Sequence, residues 1–403
     1  MQIIFEKIFE KWKKGKIFML YIQQSSNKTV TIDSRVYRTN EEFIGARPKF
    51  WIIGEKSPYN NSSYNYRNNN MLLKFNRNGL SCEDYGEVLY SSLLRANGVR
   101  CTEYQLAEYT DKNGEVIHGV ACPSYKHSDK ELDISGYDLQ RFQHSLKNET
   151  SPDLPYNTVD SYIQCIKQCM NLPNSTMLQY IEDDLIKIAF FDYICGHTDR
   201  HWDNISFVYN NHTIPNGNYE AIRVADCYDS GCSFMLNRKR AAIQTYANEL
   251  KAAQRTNNTT KYESICKMLS DKSIPKFGIT SSISEVVHHS DDDPEFPKMI
   301  LATSDPNWED TFLNELCSKI AHNPRLSTFI VSHKDTINID TANTLALKEG
   351  NDIPDEILTV ASAMVDSRLK TFDSYMFKYI DKINANDKDF NEFEPNNDSK
   401  EIN

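Results

Sequence analysis

The stretch Phe190–Asn204 reads FFDYICGHTDRHWDN and concentrates groups that can move a proton and hold a cation. Within it, His197, Asp199 and Asn204 fall at the spacing H-x-D-x-x-x-x-N. A carboxylate placed there can align a hydroxyl and take its proton, and the side-chain amide five residues on can hold a hard cation. A second carboxylate follows in Asp229-Ser230-Gly231, a D-x-G. Upstream, Lys74 sits inside the apolar run Met71–Phe75, where a charge is costly unless it is paired. Glu87 opens a helical pattern and can supply the partner. A base, two oxygen ligands for a cation and a lysine–glutamate pair are the parts of a phosphoryl-transfer site.

Those groups meet only if the intervening elements bring them together. Leu178, Ile181, Leu185, Ile188 and Ala189 predict a helix from Ser175 with one buried face. Gly196 stands where that helix closes, since glycine takes the left-handed conformation without strain. The H-x-D segment is therefore a loop held at the end of a buried helix. Ile205–Tyr209 reads as a strand, Asn216-Gly217 as a hairpin turn and Glu220–Asp226 as the return strand that delivers Asp229. Catalytic loop, hairpin and D-x-G stand in protein-kinase order. Val88, Leu89, Leu93 and Leu94, closed by Gly98, make the helix that carries Glu87. Taken alone, Lys74 reads as a solvated edge residue; set before Glu87, Asp199, Asn204 and Asp229, it reads as functional.

Further strands are expected at 28–39, 50–53, 99–109 and 115–122, the last two turning at Asn113-Gly114. Gly45-Ala46-Arg47-Pro48-Lys49 could curl over phosphates through Arg47 and Lys49, or form an ordinary turn. The segment from Cys122 to Tyr125 would be the hinge between two lobes, its backbone meeting an adenine at Cys122. Past the D-x-G, Arg238, Lys239 and Arg240 form a basic patch that suits a substrate-side segment or a solvated helix face. Helices are expected at 161–172 and after Asp305-Pro306 and Ile353-Pro354. Ser290–Asp293 reads as a surface acidic run. The division expected is a helical extension over 1–27, a small lobe over 28–122, a helical lobe over 123–384 and a disordered acidic tail over 385–403. The fold class is α+β: a bilobal, protein-kinase-like fold with a β-rich N-lobe and a larger, mainly helical C-lobe.

At 403 residues the chain can build two lobes around a substantial core. A net charge of −11 argues against a general nucleic-acid or anionic-membrane binder, and no direct nucleic-acid contact is expected. Its ten cysteines form no C-x-x-C pair and read as reduced thiols of a cytosol-like compartment. The protein is expected in the cytoplasm, or delivered to a host cell if it is a secreted effector. No apolar run reaches the ~18–20 residues needed to span a bilayer. Phe5, Ile8, Phe9 and Trp12 fall on one helical face among lysines, which suits a docked helix or a membrane-surface helix. His197, Asp199, His201 and Asp203 also admit a metal-dependent hydrolase, but that chemistry leaves Lys74, Glu87 and Asp229 without a role.

The pairing of DRHWDN (Asp199–Asn204) with YDSG (Tyr228–Gly231), and the helix EVLYSSLLRANG (Glu87–Gly98), resembles the HipA-like serine/threonine kinases, including their shorter CtkA-like members. The D-R-H-x-x-N pattern is shared with phosphatidylinositol kinases, so a lipid kinase is the competing expectation; a nucleotide-binding pseudokinase is another. The resemblance covers about Gly45 to Gly231 and implies ATP- and Mg2+-dependent phosphorylation of Ser or Thr, of another protein or of the chain itself. It implies Asp199 as base, Asn204 and Asp229 as magnesium ligands, Lys74 as the phosphate contact paired with Glu87, and His201 as a shaper of the loop. It also implies an antitoxin-like inhibitory partner. The G-A-R-P-K segment departs from the phosphate loop of full-length HipA proteins.

Overall fold

The computed structural model describes residues 20–26, 29–32, 35–40, 49–53, 70–76, 81–127, 131–139, 158–170, 176–210, 222–273, 286–290, 293–300 and 307–391. Its first part is a closed barrel. The strands are β1 (Leu20–Ser26), β2 (Thr29–Ile32), β3 (Arg35–Asn40), β4 (Lys49–Ile53), β5 (Asn70–Phe75), β6 (Gln105–Thr110) and β7 (Val116–Pro123). They are ordered β1-β2-β3-β4-β5-β7-β6, and β1 closes the ring by pairing parallel to β6. Alternation along β5 sends Leu73 and Phe75 into a cluster with Ala107, Tyr109 and Ala121. Lys74 and Leu72 face the other way, and Leu72 joins the main core. Gly119 makes the β5–β7 pairing possible: a Cβ there would stand 2.1 Å from the Lys74 carbonyl oxygen.

Helix α1 (Glu83–Ala96) lies between β5 and β6 in the chain. Its face Val88, Leu89, Leu93 and Leu94 is buried, and it closes at Gly98, φ +70°, with the Val99 N–H donating to the Leu94 carbonyl. Beyond the barrel come β8 (Glu131–Ser135), α2 (Val159–Met170), α3 (Thr176–Cys195), β9 (Ser206–Asn210), β10 (Arg223–Val224), α4 (Arg240–Arg255) and α5 (Thr259–Asp271). The hairpin β11 (Val286–Ser290) and β12 (Asp293–Ile300) follows, then α6 (Trp308–Ala321), α7 (Pro324–His333), α8 (Ile339–Lys348) and α9 (Asp355–Asn391). Helix α3 is the axis of the helical lobe: the five apolar residues that predict it are all buried, and from Ile188 to Cys195 every residue is. Gly196 ends it at φ +60°, where a Cβ would come 2.7 Å from the Met364 Sδ of α9. Arg368 of α9, itself fully buried, donates to the Tyr193, Ser270 and Ser273 carbonyls and so closes the ends of α3 and α5.

The helical lobe also reaches back to the barrel. Helix α1 packs on α8, and Arg95 pairs with Glu349. The buried Asn351 side chain accepts from the Leu106 N–H at 2.8 Å and donates to the Tyr104 carbonyl at 3.0 Å.

Several elements differ from expectation. Thr29–Ile32 and Arg35–Asn40 are two antiparallel strands where one was expected over 28–39, with Ile32 opposite Arg35; the alternation of Val30, Ile32 and Val36 keeps one period across both strands and so does not reveal that there are two. The segment 1–27, expected as helical, supplies strand β1, because the barrel needs an edge for β6; residues 1–19 lie outside the described residues. The strand expected at 99–109 begins at Gln105, with Cys101 bridged to Cys227 instead. Helix α9 runs to Asn391, past the expected start of the tail at 385, since adding residues to an existing packed helix costs little even for polar side chains. Of the acidic run Ser290–Asp293, Ser290 and Asp293 stand opposite each other in the β11–β12 pairing, and residues 291–292 lie outside the described residues. The expected turn at Asn216-Gly217 lies outside the described residues, but the strands it joins, β9 and β10, do pair antiparallel. Nine cysteines among the described residues are free and buried.

Candidate active site

Lys74 is 3% exposed, and the structure pairs it twice. Its Nζ donates to Glu87 Oε1 at 2.6 Å and to Asp229 Oδ1 at 2.8 Å. Glu87 is fully buried; its Oε2 accepts the Ser230 N–H at 2.6 Å. One glutamate of α1 thus holds both the strand lysine and the backbone of the D-x-G. Gly86 permits that approach, because a Cβ there would stand 2.8 Å from the Gly231 carbonyl oxygen. Asp229 sits at φ +56°, a left-handed conformation that costs a non-glycine residue about 1 kcal/mol or more. Its N–H donates to the Tyr104 hydroxyl at 3.1 Å, and Lys74 holds its carboxylate, so the surroundings enforce the conformation. Burial raises the Tyr104 phenol well above its usual pKa, which keeps it neutral in that role.

The H-x-D loop is organised from within. The Asn204 amide nitrogen donates to the Asp199 carbonyl at 2.6 Å, so the oxygen is the end of the amide left to accept. Asp199 keeps a partly exposed carboxylate. The Cys232 thiol lies 3.9 Å from its Oδ2, and His201 Nε2 lies 3.9 Å from its Oδ1. His201 Nδ1 accepts the Asp203 N–H and caps the turn Trp202–Asn204. Burial raises the Asp203 pKa, an effect that His201 and Lys49 oppose. Lys49 stands directly opposite Lys74 in the β4–β5 register, so both cations project from one face of the sheet. Cys122 is buried opposite Leu72, its thiol pushed up to about 12 by burial, and stays a neutral wall beside Lys74. Arg47 lies outside the described residues. The metal-hydrolase alternative finds no support: His197 is fully buried against Tyr90, and among the described residues no group of three or more His, Cys, Asp or Glu could hold a metal.

Magnesium prefers oxygen donors and retains water and phosphate ligands, so one carboxylate and one amide oxygen fit it where a three-residue protein cage is not needed. The Asp229 carboxylate, 2.8 Å from the Lys74 ammonium, and the Asn204 side-chain oxygen are donors of that chemical kind.

Residues that motif reading passed over complete the arrangement. Arg200, fully buried, joins Asp192 on α3 to the carbonyls of Asn204 and Tyr228. Tyr228 donates to the Asp203 carbonyl at 2.7 Å and stacks on Tyr125 with ring centroids 5.0 Å apart. A signal for Asp192 was present: a carboxylate inside the buried end of an apolar helix demands a partner.

The family model for the HipA-like C-terminal domain matches residues 43–292. Among solved structures, the chain is similar to the Helicobacter pylori proinflammatory kinase CtkA, with a TM-score of 0.51 and 13% identity over 85% of this chain and 96% of that one. It is also similar to HipA of Shewanella oneidensis, solved with HipB and operator DNA, with a TM-score of 0.41 and 10% identity over 83% of this chain and 66% of that one. The first likeness, at that identity, shows a shared bilobal fold. None of the curated proteins matches the sequence. Among the described residues no helix is long and apolar enough to cross a membrane.

Proposed function

This chain belongs to the HipA-like C-terminal domain family, and we propose that it is an ATP- and magnesium-dependent protein kinase that phosphorylates Ser or Thr hydroxyls, on a protein substrate or on itself. The observation that carries the reading is the buried lysine held at once by the α1 glutamate and the D-x-G aspartate, 2.6 and 2.8 Å away. A lysine kept that far from water needs both carboxylates to stay charged, and the pair leaves it aimed at the aspartate that would hold the metal.

In this reading Asp229 and Asn204 would hold magnesium, which would supply positive charge against that of the phosphates. Lys74 holds the phosphate oxygens, and Lys49 lends a second cation from the neighbouring strand. Asp199 aligns the acceptor hydroxyl and takes its proton onto the carboxylate as the new P–O bond forms and the bond to the leaving diphosphate breaks. Most of the catalytic gain comes from orientation and fixed charge rather than from covalent chemistry. Cys122 contributes its backbone at the hinge.

The test is incubation with labelled ATP and magnesium, offering the chain itself, a mixed protein acceptor and phosphoinositide vesicles in parallel. Label on serine or threonine of protein, abolished by chelating the magnesium, is expected. Label on lipid alone would replace the protein-kinase reading with a lipid-kinase one. Nucleotide binding with no transfer to any acceptor would leave a pseudokinase.

A further inference from the structure

Helix α1 makes a second buried contact with the catalytic machinery, one turn beyond Glu87. Tyr90, at i+3 and on the same face, is fully buried and donates its hydroxyl to Asp192 Oδ1 at 2.6 Å. Asp192 lies near the end of α3, also fully buried, and faces the Arg200 guanidinium: Nε donates to Oδ2 at 3.1 Å and Nη2 to Oδ1 at 3.3 Å. The rest of the Arg200 fork is also engaged. Nη1 donates to the Asn204 carbonyl at 3.2 Å and the Tyr228 carbonyl at 2.6 Å, and Nη2 to Ser230 Oγ at 3.2 Å. Five bonds match the five N–H groups of a guanidinium. The guanidinium carbon also lies 5.7 Å from the centre of the Tyr90 ring.

We propose that Tyr90, Asp192 and Arg200 form a positioning relay that couples the seating of α1 to the geometry of both loops, so that Tyr90 is a positioning residue for phosphoryl transfer although it touches no reacting group.

Arg200 binds the chain on both sides of the site: the carbonyl of Asn204, the amide ligand's own residue, and, flanking Asp229, the Tyr228 carbonyl and the Ser230 hydroxyl. A shift of the guanidinium therefore moves both candidate magnesium ligands together. The guanidinium is oriented by the Asp192 carboxylate, which takes three donors, two from Arg200 and one from Tyr90. Buried from solvent, that carboxylate settles where all three can reach it. Withdrawing α1 would break the Tyr90 bond and the Glu87 bond to the Ser230 N–H in one movement. The helix is thus read twice, through Glu87 directly and through Tyr90 by way of α3, and the second path was not visible in any motif. Helix α8 and the Arg95–Glu349 pair hold α1 from behind, which supplies the fixed seat the relay reports.

This inference rests on the kinase reading for its effect on turnover, so the test includes a readout that does not. Tyr90→Phe keeps the ring and its packing and removes only the hydroxyl. Amide hydrogen exchange is followed in peptides spanning Asp199–Asn204 and Tyr228–Gly231, where the Asn204, Asp229 and Ser230 N–H groups are hydrogen-bonded. Exchange about tenfold faster in both loops, with the β6–β7 peptides unchanged, is expected. In parallel, kcat falls about tenfold while the KM for ATP stays within twofold. Asp192→Asn acts in the same direction, and Tyr90→Phe adds little on top of it, because the two act through one guanidinium. Wild-type exchange in the loops of Tyr90→Phe, or multiplicative effects of the two substitutions, would overturn the relay. If the wild type transfers no phosphate, the kinase reading fails, and the exchange rates still decide whether α1 and the loops are coupled.

Discussion

Replacing Lys74 by Met should separate folding from chemistry, because the lysine serves both. The ammonium is 3% exposed and its partner Glu87 is fully buried. Removing one member of a buried pair strands the other charge, at a typical cost of about 3–5 kcal/mol. Two features place this case near the lower end: Glu87 keeps the Ser230 N–H, and Asp229, at 23% exposed, recovers part of its hydration. Lys74→Met is therefore expected to lose about 3 kcal/mol at neutral pH. Adding Glu87→Gln removes the stranded charge while leaving an amide oxygen for the Ser230 N–H, and should bring stability back to within about 1 kcal/mol of the wild type. Neither variant should transfer phosphate at more than about a hundredth of the wild-type rate, since the fixed cation is gone from both. Urea titration followed by tryptophan fluorescence reads the stability, with unchanged slopes showing that the unfolded surface is the same. Labelled-ATP transfer reads the chemistry. A single variant as stable as the wild type, or a double variant that regains transfer, would refute the reasoning.

Other outcomes follow from the same geometry. Burial raises the Asp84 carboxyl from 3.8 to about 6, opposed by its hydrogen bond with Asn76. The folded state thus holds that proton more tightly than the unfolded chain, so the group's contribution to stability is present below about pH 4 and lost as the pH rises through about 6. Asp84→Asn should match the wild type below pH 4 and exceed it by about 3 kcal/mol at pH 7.5, read by urea titration at both; an equal gain at the two pH values would contradict this. Gly86→Ala should fail to gain the ~1 kcal/mol that alanine brings to a helix interior, because its Cβ would press on the Gly231 carbonyl, and turnover should fall about tenfold. A variant that is both more stable and fully active would show that the close approach does not matter.

The parts of the site most legible in the sequence were those whose local chemistry conflicts with their surroundings. Lys74 in an apolar strand required a carboxylate, and Glu87 supplies it. Gly196 after an apolar helix marked where the loop begins, and its φ of +60° agrees. The lobes and most long helices followed from periodicity. What stayed hidden depends on contacts between distant segments. Strand β1 exists because it can close a ring with β6, a pairing over eighty residues that no local pattern encodes. Helices α5, α7 and α8 bury only three, one and three residues, too little to announce a core-facing helix, and α8 matters because it backs α1. Arg200 lay in plain view inside D-R-H, but its role came from Asp192 and Tyr90, which are eight and over a hundred residues away. Asp229 was expected as a ligand, whereas its left-handed backbone and the Tyr104 hydroxyl that supports it are visible only in three dimensions.

In the proposed reaction Asp199 is the residue on which transfer most depends. Wild type and Asp199→Ala, incubated side by side with labelled ATP and magnesium, give the most direct measurement. The expected result is label on protein serine or threonine from the wild type and a turnover lower by about 10²–10⁴ from the variant, the usual range for losing a general base. Equal transfer by the two proteins, or none from a folded wild type that binds the nucleotide, would contradict it.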